Sequence, residues 1–77
     1  MKTHILKTES EYFWAVCGGM KSFEIRKNDR DFQVGDKVTL VETMDGMPTG
    51  WTTDLDIRYV FKGGKFGLDE NYCIFCW

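Results

Sequence analysis

Hydrophobic and polar residues alternate along most of this chain, and one stretch of helical spacing interrupts the alternation. Successive side chains of a strand point to opposite sides of a sheet, so a period of two is typical of half-buried strands. The pattern predicts strands at residues 3–7, 22–28, 38–44, 51–61 and 72–77. Turn-forming pairs such as Asn28-Asp29, Asp45-Gly46 and Gly63-Gly64 separate several of them.

The helical spacing follows the first predicted strand. Apolar side chains recur there at Tyr12, Phe13, Val16, Cys17 and Met20. Thr8, with Glu11 three residues later, matches a capping box, in which each side chain binds the free backbone N–H of the other. Gly18-Gly19 supplies the stop, because glycine adopts the left-handed conformation that ends many helices. We therefore predict one helix, starting at Thr8 and stopping at these glycines.

Two of the predicted strands have a distinct apolar side. In the second strand, Phe23 and Ile25 share one face, whereas Ser22, Glu24 and Arg26 form a polar row on the other. We expect the polar row to lie on the surface. In the fourth strand we expect the apolar side to be core rather than a platform for stacking bases; it consists of Trp51, Thr53, Leu55, Ile57, Tyr59 and Phe61.

The order of elements is strand, helix and then four strands, which predicts an α+β fold that is mainly β. Closing about five strands into a small, partly closed β-barrel around the helix removes exposed edges, so we expect this architecture. An open α+β sandwich is the alternative. Residues 1–77 are predicted to form a single domain, because no repeat, low-complexity tract or linker interrupts them.

Length and charge restrict the possible functions. Seventy-seven residues exclude a two-domain enzyme, and a formal net charge of −2 argues against clamping long duplex nucleic acid. The charge is uneven: residues 21–30 hold four basic and two acidic side chains, and the rest holds six basic and ten acidic. A positive focus on an acidic body suits a small anionic ligand or one or two nucleotides. A solvated charged loop is the alternative.

The three cysteines predict a reducing, cytoplasmic setting, since their number is odd and no secretory signal precedes them. No run is long enough to span a membrane. Cys73 and Cys76 resemble half of a zinc knuckle, but residues three apart on a strand face opposite sides. We therefore expect both to pack in the fold, with no metal and no cofactor. His4 is a candidate acid, base or hydrogen-bonding residue.

One motif between the predicted helix and the second strand has the form G-x-K-x-x-E-x-R, filled by Gly19, Lys21, Glu24 and Arg26. It resembles the signature of the ASCH superfamily, a branch of the PUA-like fold. The surrounding sequence is similar to a short ASCH subfamily at residues 4–7, 12–13, 23–32 and 34–36, with later landmarks at residues 49–50 and 66–68. The resemblance covers nearly the whole chain.

The resemblance implies a PUA-like β-barrel with a cleft beside the first helix, where the signature Lys, Glu and Arg gather. It also implies RNA binding. Some ASCH proteins are amidohydrolases of acetylated cytidine that use the signature lysine, a threonine three residues later and a more distant glutamate. Lys21 matches the lysine, but Glu24 occupies the threonine position and Ser22 is the nearest hydroxyl. This departure argues against the enzymatic activity.

We therefore predict a module that binds a nucleotide or short single-stranded RNA. Lys21 and Arg26 are expected to contact phosphate or a base edge, and Glu24 to orient Arg26 through a charge-assisted hydrogen bond. The remaining candidates for nucleic-acid contact are Ser22, Lys27, Arg30 and His4. Two alternatives stay open: a small hydrolase of modified nucleosides with Lys21 and Glu24 as catalytic residues, and a protein-interaction module without a ligand pocket.

Overall fold

The computed structural model describes every residue of the protein, Met1 to Trp77. It is a small α+β domain composed mostly of strands, with one helix after the first strand. Its elements in chain order are β1 (Thr3–Glu9), α1 (Ser10–Cys17), β2 (Phe23–Lys27), β3 (Lys37–Met44), β4 (Met47–Asp56), β5 (Tyr59–Lys62) and β6 (Tyr72–Cys76).

The strands form two open three-stranded sheets. The first has the order β1-β3-β4, with β1 parallel to β3 and β4 antiparallel to it. The second is antiparallel throughout and has the order β2-β6-β5. The prediction of a small, partly closed barrel of about five strands is wrong, because six strands form two open sheets. The predicted strand at residues 51–61 is broken at Ile57 and Arg58, so its two parts, β4 and β5, join different sheets.

The core lies between the inner faces of the two sheets and the buried side of α1. The helix contributes Phe13 and Val16, and the long loop before β3 contributes Phe32. Burying these apolar side chains supplies the main driving force for folding. The complete core cluster is Leu6, Phe13, Val16, Phe32, Val38, Leu40, Ile57, Cys73 and Phe75.

The predicted stop of the helix is confirmed, but its predicted start is wrong. The Gly18 N–H donates to the Trp14 carbonyl at 2.9 Å, and Gly19 has the left-handed φ of +77° that ends the helix. At the other end, Thr8 is still part of β1, paired in register with Glu42 of β3. The helix begins only at Ser10, and no side chain caps it. Strand pairing therefore prevails over the capping box that the local sequence suggested.

The faces of β2 are the reverse of those predicted. Glu24 is 4% exposed, whereas Phe23 and Ile25 are 42% and 51% exposed. The cause is the register with β6: Glu24 lies opposite Phe75 and Arg26 opposite Cys73, and both β6 residues point into the core. Since paired residues share a face, the signature side chains point inward and the apolar ones point outward.

The predicted apolar side of residues 51–61 is core only in its middle. Ile57 is buried and Leu55 packs against the core cluster, but Trp51 is 61% exposed. The helix α1 is the only one in the chain, and no helix is long and apolar enough to cross a membrane.

Candidate functional site

A cleft of about 400 Å³ opens where the end of β1, the start of α1 and β2 meet. The left-handed Gly19 ends the helix and lets the chain turn into β2, so Lys21 comes to lie at the cleft. Three elements contribute side chains to its walls. The lining residues are Lys7, Thr8, Glu9, Tyr12, Lys21, Phe23, Glu24, Ile25 and Arg26.

A buried carboxylate with two cationic partners forms the centre of this cleft. The Lys21 ammonium donates to Glu24 Oε1, and the Arg26 Nε donates to Glu24 Oε2 at 2.9 Å. Both carboxylate oxygens are thus occupied by charge-assisted hydrogen bonds, which are stronger than neutral ones. The predicted contact between Glu24 and Arg26 is present. With two positive charges and one negative charge, the cluster has a net charge of +1.

Arg26 also connects the two sheets. Its Nη2 donates to the Lys7 carbonyl at 2.8 Å and to the Thr8 hydroxyl at 3.0 Å, both on β1. The guanidinium is therefore held from two sides, by Glu24 within β2 and by β1 across the cleft. A side chain fixed in this way loses little further conformational entropy when it binds a ligand.

Lys21 has aromatic neighbours. Its ammonium lies 5.2 Å from the centre of the Phe23 ring and 5.9 Å from the centre of the Tyr12 ring. Both distances are within the range of cation–π attraction. The side chain of Lys21 is 19% exposed, so it remains partly accessible at the cleft. The site thus combines a cation with two partly exposed aromatic rings.

The other predicted contacts lie outside this cleft. Ser22 and Lys27 are exposed, but neither lines the cleft. Arg30 is also exposed, and its Nη1 donates to the Ile5 carbonyl at 3.1 Å, farther back along β1. The structure therefore brings Lys21, Glu24 and Arg26 together and leaves the other candidates around or away from them.

His4 is buried in a separate polar pair. Its Nε2 lies 2.8 Å from Oδ2 of Asp36, and the two side chains are each 5% exposed. Asp36 also accepts the backbone N–H groups of Lys2 and Gln33, at 3.0 and 3.1 Å. The hydrogen bond from His4, followed by that from Lys2, lowers the pKa of Asp36 to about 2. This arrangement ties the loop before β3 to β1 and offers no surface to a ligand.

Sequence reasoning missed the residues that β1 and α1 contribute to the cleft. Thr8 was assigned to a helix cap and Tyr12 to the packed side of the helix, although Tyr12 is 47% exposed. Phe23 was expected in the core. The pairing of β1 with β3 places Thr8 at the cleft, and the pairing of β2 with β6 turns Phe23 outward; both pairings join residues more than thirty positions apart. No local signal in the sequence identifies them.

A second buried carboxylate, Glu42 on β3, lies at a different junction. The Ser10 hydroxyl donates to its Oε2 at 2.6 Å, and the Thr49 hydroxyl donates to its Oε1. These bonds, first that of Ser10, together with hydrogen bonding to Trp14, lower the pKa of Glu42. The β3–β4 register shifts at this point, and Gly50 has a φ of +99°, which brings Thr49 to the carboxylate. Glu42 therefore joins α1 to the first sheet.

The cysteines have the orientations expected on a strand. Cys73 is buried in the core, where burial raises the pKa of its thiol, and Cys76 lies on the opposite face of β6. All three cysteines are free thiols. Nowhere in the structure do three His, Cys, Asp or Glu side chains cluster as metal ligands.

Comparison with known proteins assigns the chain to a family. The family model described as "Domain of unknown function (DUF3850)" matches residues 3–76, so the chain belongs to this family. The chain is also similar to "Uncharacterized 12.9 kDa protein in GpA 3'region" of Escherichia phage P2, with 41% identity over 49 residues. That match covers 64% of this chain and 45% of the phage protein, so the chain spans less than half of this relative.

Proposed function

We propose that this member of the DUF3850 family binds a nucleotide or a short single-stranded RNA element in the cleft of Lys21, Glu24 and Arg26. The observation that carries the proposal is the cluster itself. A buried carboxylate holds two cations at the wall of an open cleft, beside the partly exposed rings of Tyr12 and Phe23. Cations suit phosphate and aromatic rings suit bases, so both halves of a nucleotide have a counterpart.

The cluster keeps hydrogen-bond donors for a ligand. The Arg26 Nε and Nη2 atoms are used within the protein, but Nη1 donates to no protein acceptor. An ammonium has three donors, and Lys21 uses one of them on Glu24. An incoming phosphate oxygen can accept from both side chains without breaking their bonds to Glu24. Glu24 thus acts as the positioning residue for two cations.

A single strand suits the cleft better than a duplex does. Bases can be recognised in a pocket only when they are splayed out of a helix, and an aromatic wall gives them a stacking surface. The protein as a whole is acidic, with a net charge of −2, so long-range attraction to a duplex is weak. The volume of about 400 Å³ suits a ligand with the size of one nucleotide.

Charge reversal tests the proposal. Fluorescence anisotropy with labelled short RNAs, and ligand-detected NMR with a panel of nucleotides, should show binding by the unaltered protein. Lys21→Glu and Arg26→Glu should each abolish it while circular dichroism shows an intact fold. Lys62→Glu and Lys65→Glu, away from the cleft, are the matched controls and should change the affinity for a mononucleotide little. Equal losses of mononucleotide affinity in all four variants would indicate diffuse electrostatics and contradict a cleft site.

We further propose that the domain is a member of the ASCH superfamily with a PUA-like fold. The grouping of the signature residues Lys21, Glu24 and Arg26 at one cleft beside the first helix supports this assignment. The hydrogen bonds from Arg26 on β2 to Lys7 and Thr8 on β1 also connect the two sheets beside this cleft. An experimental structure superposed on PUA-like domains tests the assignment, and a different strand order would contradict it.

Amide hydrolysis of an acylated nucleoside is the second candidate, and one observation favours it. Glu24 stands where the amidohydrolases have a threonine, so that hydroxyl is missing from the signature. The Thr8 hydroxyl of β1 lines the cleft together with Lys21 and Glu24 and could replace it. Thr8 is nevertheless buried and accepts a hydrogen bond from Arg26. Both oxygens of Glu24 already accept hydrogen bonds from cations, so Glu24 would have to give up one of these bonds to take a proton from water or a hydroxyl.

The test of this candidate is direct. Purified protein should leave acetylated cytidine intact over hours, as followed by chromatography of cytidine, which hydrolysis of the acetyl amide would produce together with acetate. Turnover by the unaltered protein that disappears in both Lys21→Ala and Thr8→Val would replace the binding proposal with the hydrolase. Thr53→Val, on β4 and outside the cleft, is the matched control for loss of a threonine hydroxyl.

A further inference from the structure

The outer face of the second sheet is apolar. Its side chains follow from the register of the three strands, in which directly paired residues share a face. One row crosses the sheet as Phe23, Cys76 and Tyr59, and the next as Ile25, Ile74 and Phe61. Several of these side chains are well exposed, with Tyr59 at 59% and Ile25 at 51%. Two paired rows of exposed apolar side chains on one sheet face are a candidate interaction surface.

The outer face of the first sheet has a different character. There the residues facing outward include Thr39 and Asp54, whose side chains form a hydrogen bond of 2.7 Å across β3 and β4. Lys37 and Asp56 are paired in register on the same sheet. The outer face of the first sheet therefore mixes polar pairs with single exposed apolar side chains such as Ile5, whereas continuous apolar rows cross the outer face of the second sheet.

A loop extends the apolar face with one more aromatic ring. Phe66 is 93% exposed and has a φ of +54°, a backbone conformation that costs free energy for a bulky residue. Its ring lies 6.0 Å from that of Phe61, at an interplanar angle of 24°. The base of this loop is fixed at Gly63, where a Cβ atom would come within 1.8 Å of the Asp69 carbonyl oxygen. The loop thus holds an exposed ring nearly parallel to the ring of its neighbour.

Lysines border this aromatic face. The Lys21 ammonium lies over the Phe23 ring, and Lys27 is in register with Tyr72 at the other end of β2. Lys62 ends β5, and Lys65 directly precedes Phe66. Rings surrounded by cations are complementary to bases that are joined by phosphates.

The size of the face also argues against a second protein chain as its occupant. Three strands about 4.8 Å apart, with five residues of about 3.3 Å each, give a face on the order of 240 Å². A stable protein–protein interface buries about 800 Å² on each partner. The face is therefore small for a dimer, but it has room for a few bases lying side by side.

We propose that the aromatic outer face of β2, β6 and β5, extended by Phe66, stacks the bases of a single-stranded nucleic acid whose adjoining nucleotide occupies the cleft. This inference rests on the proposed function. Phe23 connects the two places, because it lines the cleft and also begins the first row of the outer face. The strand would leave the cleft past Phe23 and cross the sheet towards Tyr59, Phe61 and Phe66.

Removal of the rings without loss of apolar character tests this path. The double variant Tyr59→Leu/Phe66→Leu should weaken binding of a hexanucleotide roughly tenfold, because stacking on each ring contributes substantially. The same variant should leave the affinity for a mononucleotide unchanged. The matched control is Trp51→Leu, which removes an equally exposed aromatic residue from the first sheet and should not alter either affinity. Isothermal titration calorimetry gives both affinities.

The outcomes separate this inference from the proposed function. If the mononucleotide binds but the hexanucleotide binds no more tightly, or if the double variant binds it unchanged, the stacking face is contradicted and the cleft proposal stands. If neither ligand binds, both proposals are contradicted. Sedimentation that shows a dimer, retained in the leucine variant but lost in Tyr59→Lys, would identify the face as an interface between two copies of the chain and contradict stacking.

Discussion

Two buried glutamates, Glu24 and Glu42, satisfy their carboxylates in opposite ways. Glu24 is 4% exposed and is bound by two cations, whereas Glu42 is 3% exposed and is bound by hydroxyl groups. The first cluster has a net charge of +1 and lines an open cleft. The second has a net charge of −1 and joins a helix to a sheet. The same residue type therefore holds two cations at a cleft in one place and forms a structural joint in the other.

The distance between partners along the chain differs as well. Lys21 and Arg26 are three and two residues from Glu24, so this cluster is almost local. Glu42 is 32 residues from Ser10, which lies on α1. Removal of a local cluster changes mainly the surface of the cleft, but removal of a long-range joint detaches one element from another. Substitution of Glu42 should therefore lower stability more than binding, whereas substitution of Glu24 should lower binding more than stability.

The largest expected difference is in thermal stability. Glu42→Ala should lower the Tm by roughly 10 °C or more, because it removes the hydrogen bonds that join α1 to the first sheet and leaves the Ser10 and Thr49 hydroxyls without this acceptor. Glu24→Ala should lower it by less than half as much, because Lys21 and Arg26 are partly exposed and can be rehydrated. Circular dichroism gives both values, with exposed Glu70→Ala as the control. A larger loss in Glu24→Ala would reverse the assigned roles.

Acid should remove the contribution of Glu42 first. The hydrogen bonds from Ser10 and Thr49 lower its pKa from the ordinary value of 4.5, so its stabilisation is complete above that pH and is lost as the pH falls through the lowered pKa. The Tm difference between the unaltered protein and Glu42→Gln should therefore narrow by several degrees as the pH falls from 6 towards 3. A constant difference over this range would show that the charge of Glu42 does not stabilise the joint.

Asp36 provides an internal reference for the same titration. Its pKa is lowered from 3.8 to about 2, chiefly by the hydrogen bond from His4. The difference between the unaltered protein and Asp36→Asn should persist down to about pH 3.8 and narrow only between that pH and about 2. The narrowing should therefore begin at a higher pH for Glu42 than for Asp36, because the ordinary pKa values of the two carboxyl groups are 4.5 and 3.8.

High salt should lower the contribution of Glu24 to the Tm by a few degrees and leave that of Glu42 unchanged. Glu24 is held by partly exposed charges, and high ionic strength screens such pairs. The Tm difference between the unaltered protein and Glu24→Gln should therefore shrink when sodium chloride is raised from 50 mM to 1 M. The difference for Glu42→Gln, whose partners are uncharged, should stay constant. Equal salt dependence in both variants would contradict the electrostatic distinction between the two sites.

The smallest expected effect is that of a chelator. Cys73 and Cys76 point to opposite faces of β6, so they cannot bind one ion together. Treatment with EDTA should leave the Tm unchanged, and elemental analysis should find no stoichiometric zinc. One zinc per chain that is lost in Cys73→Ser would contradict this reading of the last strand.

The comparison of the two glutamates also shows how far the sequence could predict the structure. The local cluster was predictable, since spacing alone places Glu24 beside Arg26 on a strand. The contacts of Glu42 were not, because they depend on the pairing of β1 with β3 and on a shift of register opposite Thr49. Most strand positions and the glycine stop of the helix were predicted correctly for the same reason: they are encoded by neighbouring residues.

The orientation of β2 shows a different limit. A period of two tells which residues share a face, but it does not tell which face points inward. Phe23 and Ile25 are the more apolar pair and were expected in the core, yet the pairing with β6 places Glu24 there. The inward position of a charged residue is tolerable only because Lys21 and Arg26 neutralise it. The sequence alone could not weigh that compensation against apolar burial.

The free edge of β1 has a consequence for how the protein behaves in concentrated solution. An open edge strand can add a strand from another molecule, which begins β-type aggregation. Here the side chains of Arg26 and Arg30 already occupy the Lys7 and Ile5 carbonyl groups along that edge. Arg30 lies outside the cleft. A lysine in its place would keep the positive charge but would lack the planar guanidinium that donates to the Ile5 carbonyl. Guarding β1 against intermolecular strand addition would give this arginine a role in solubility that is independent of any ligand.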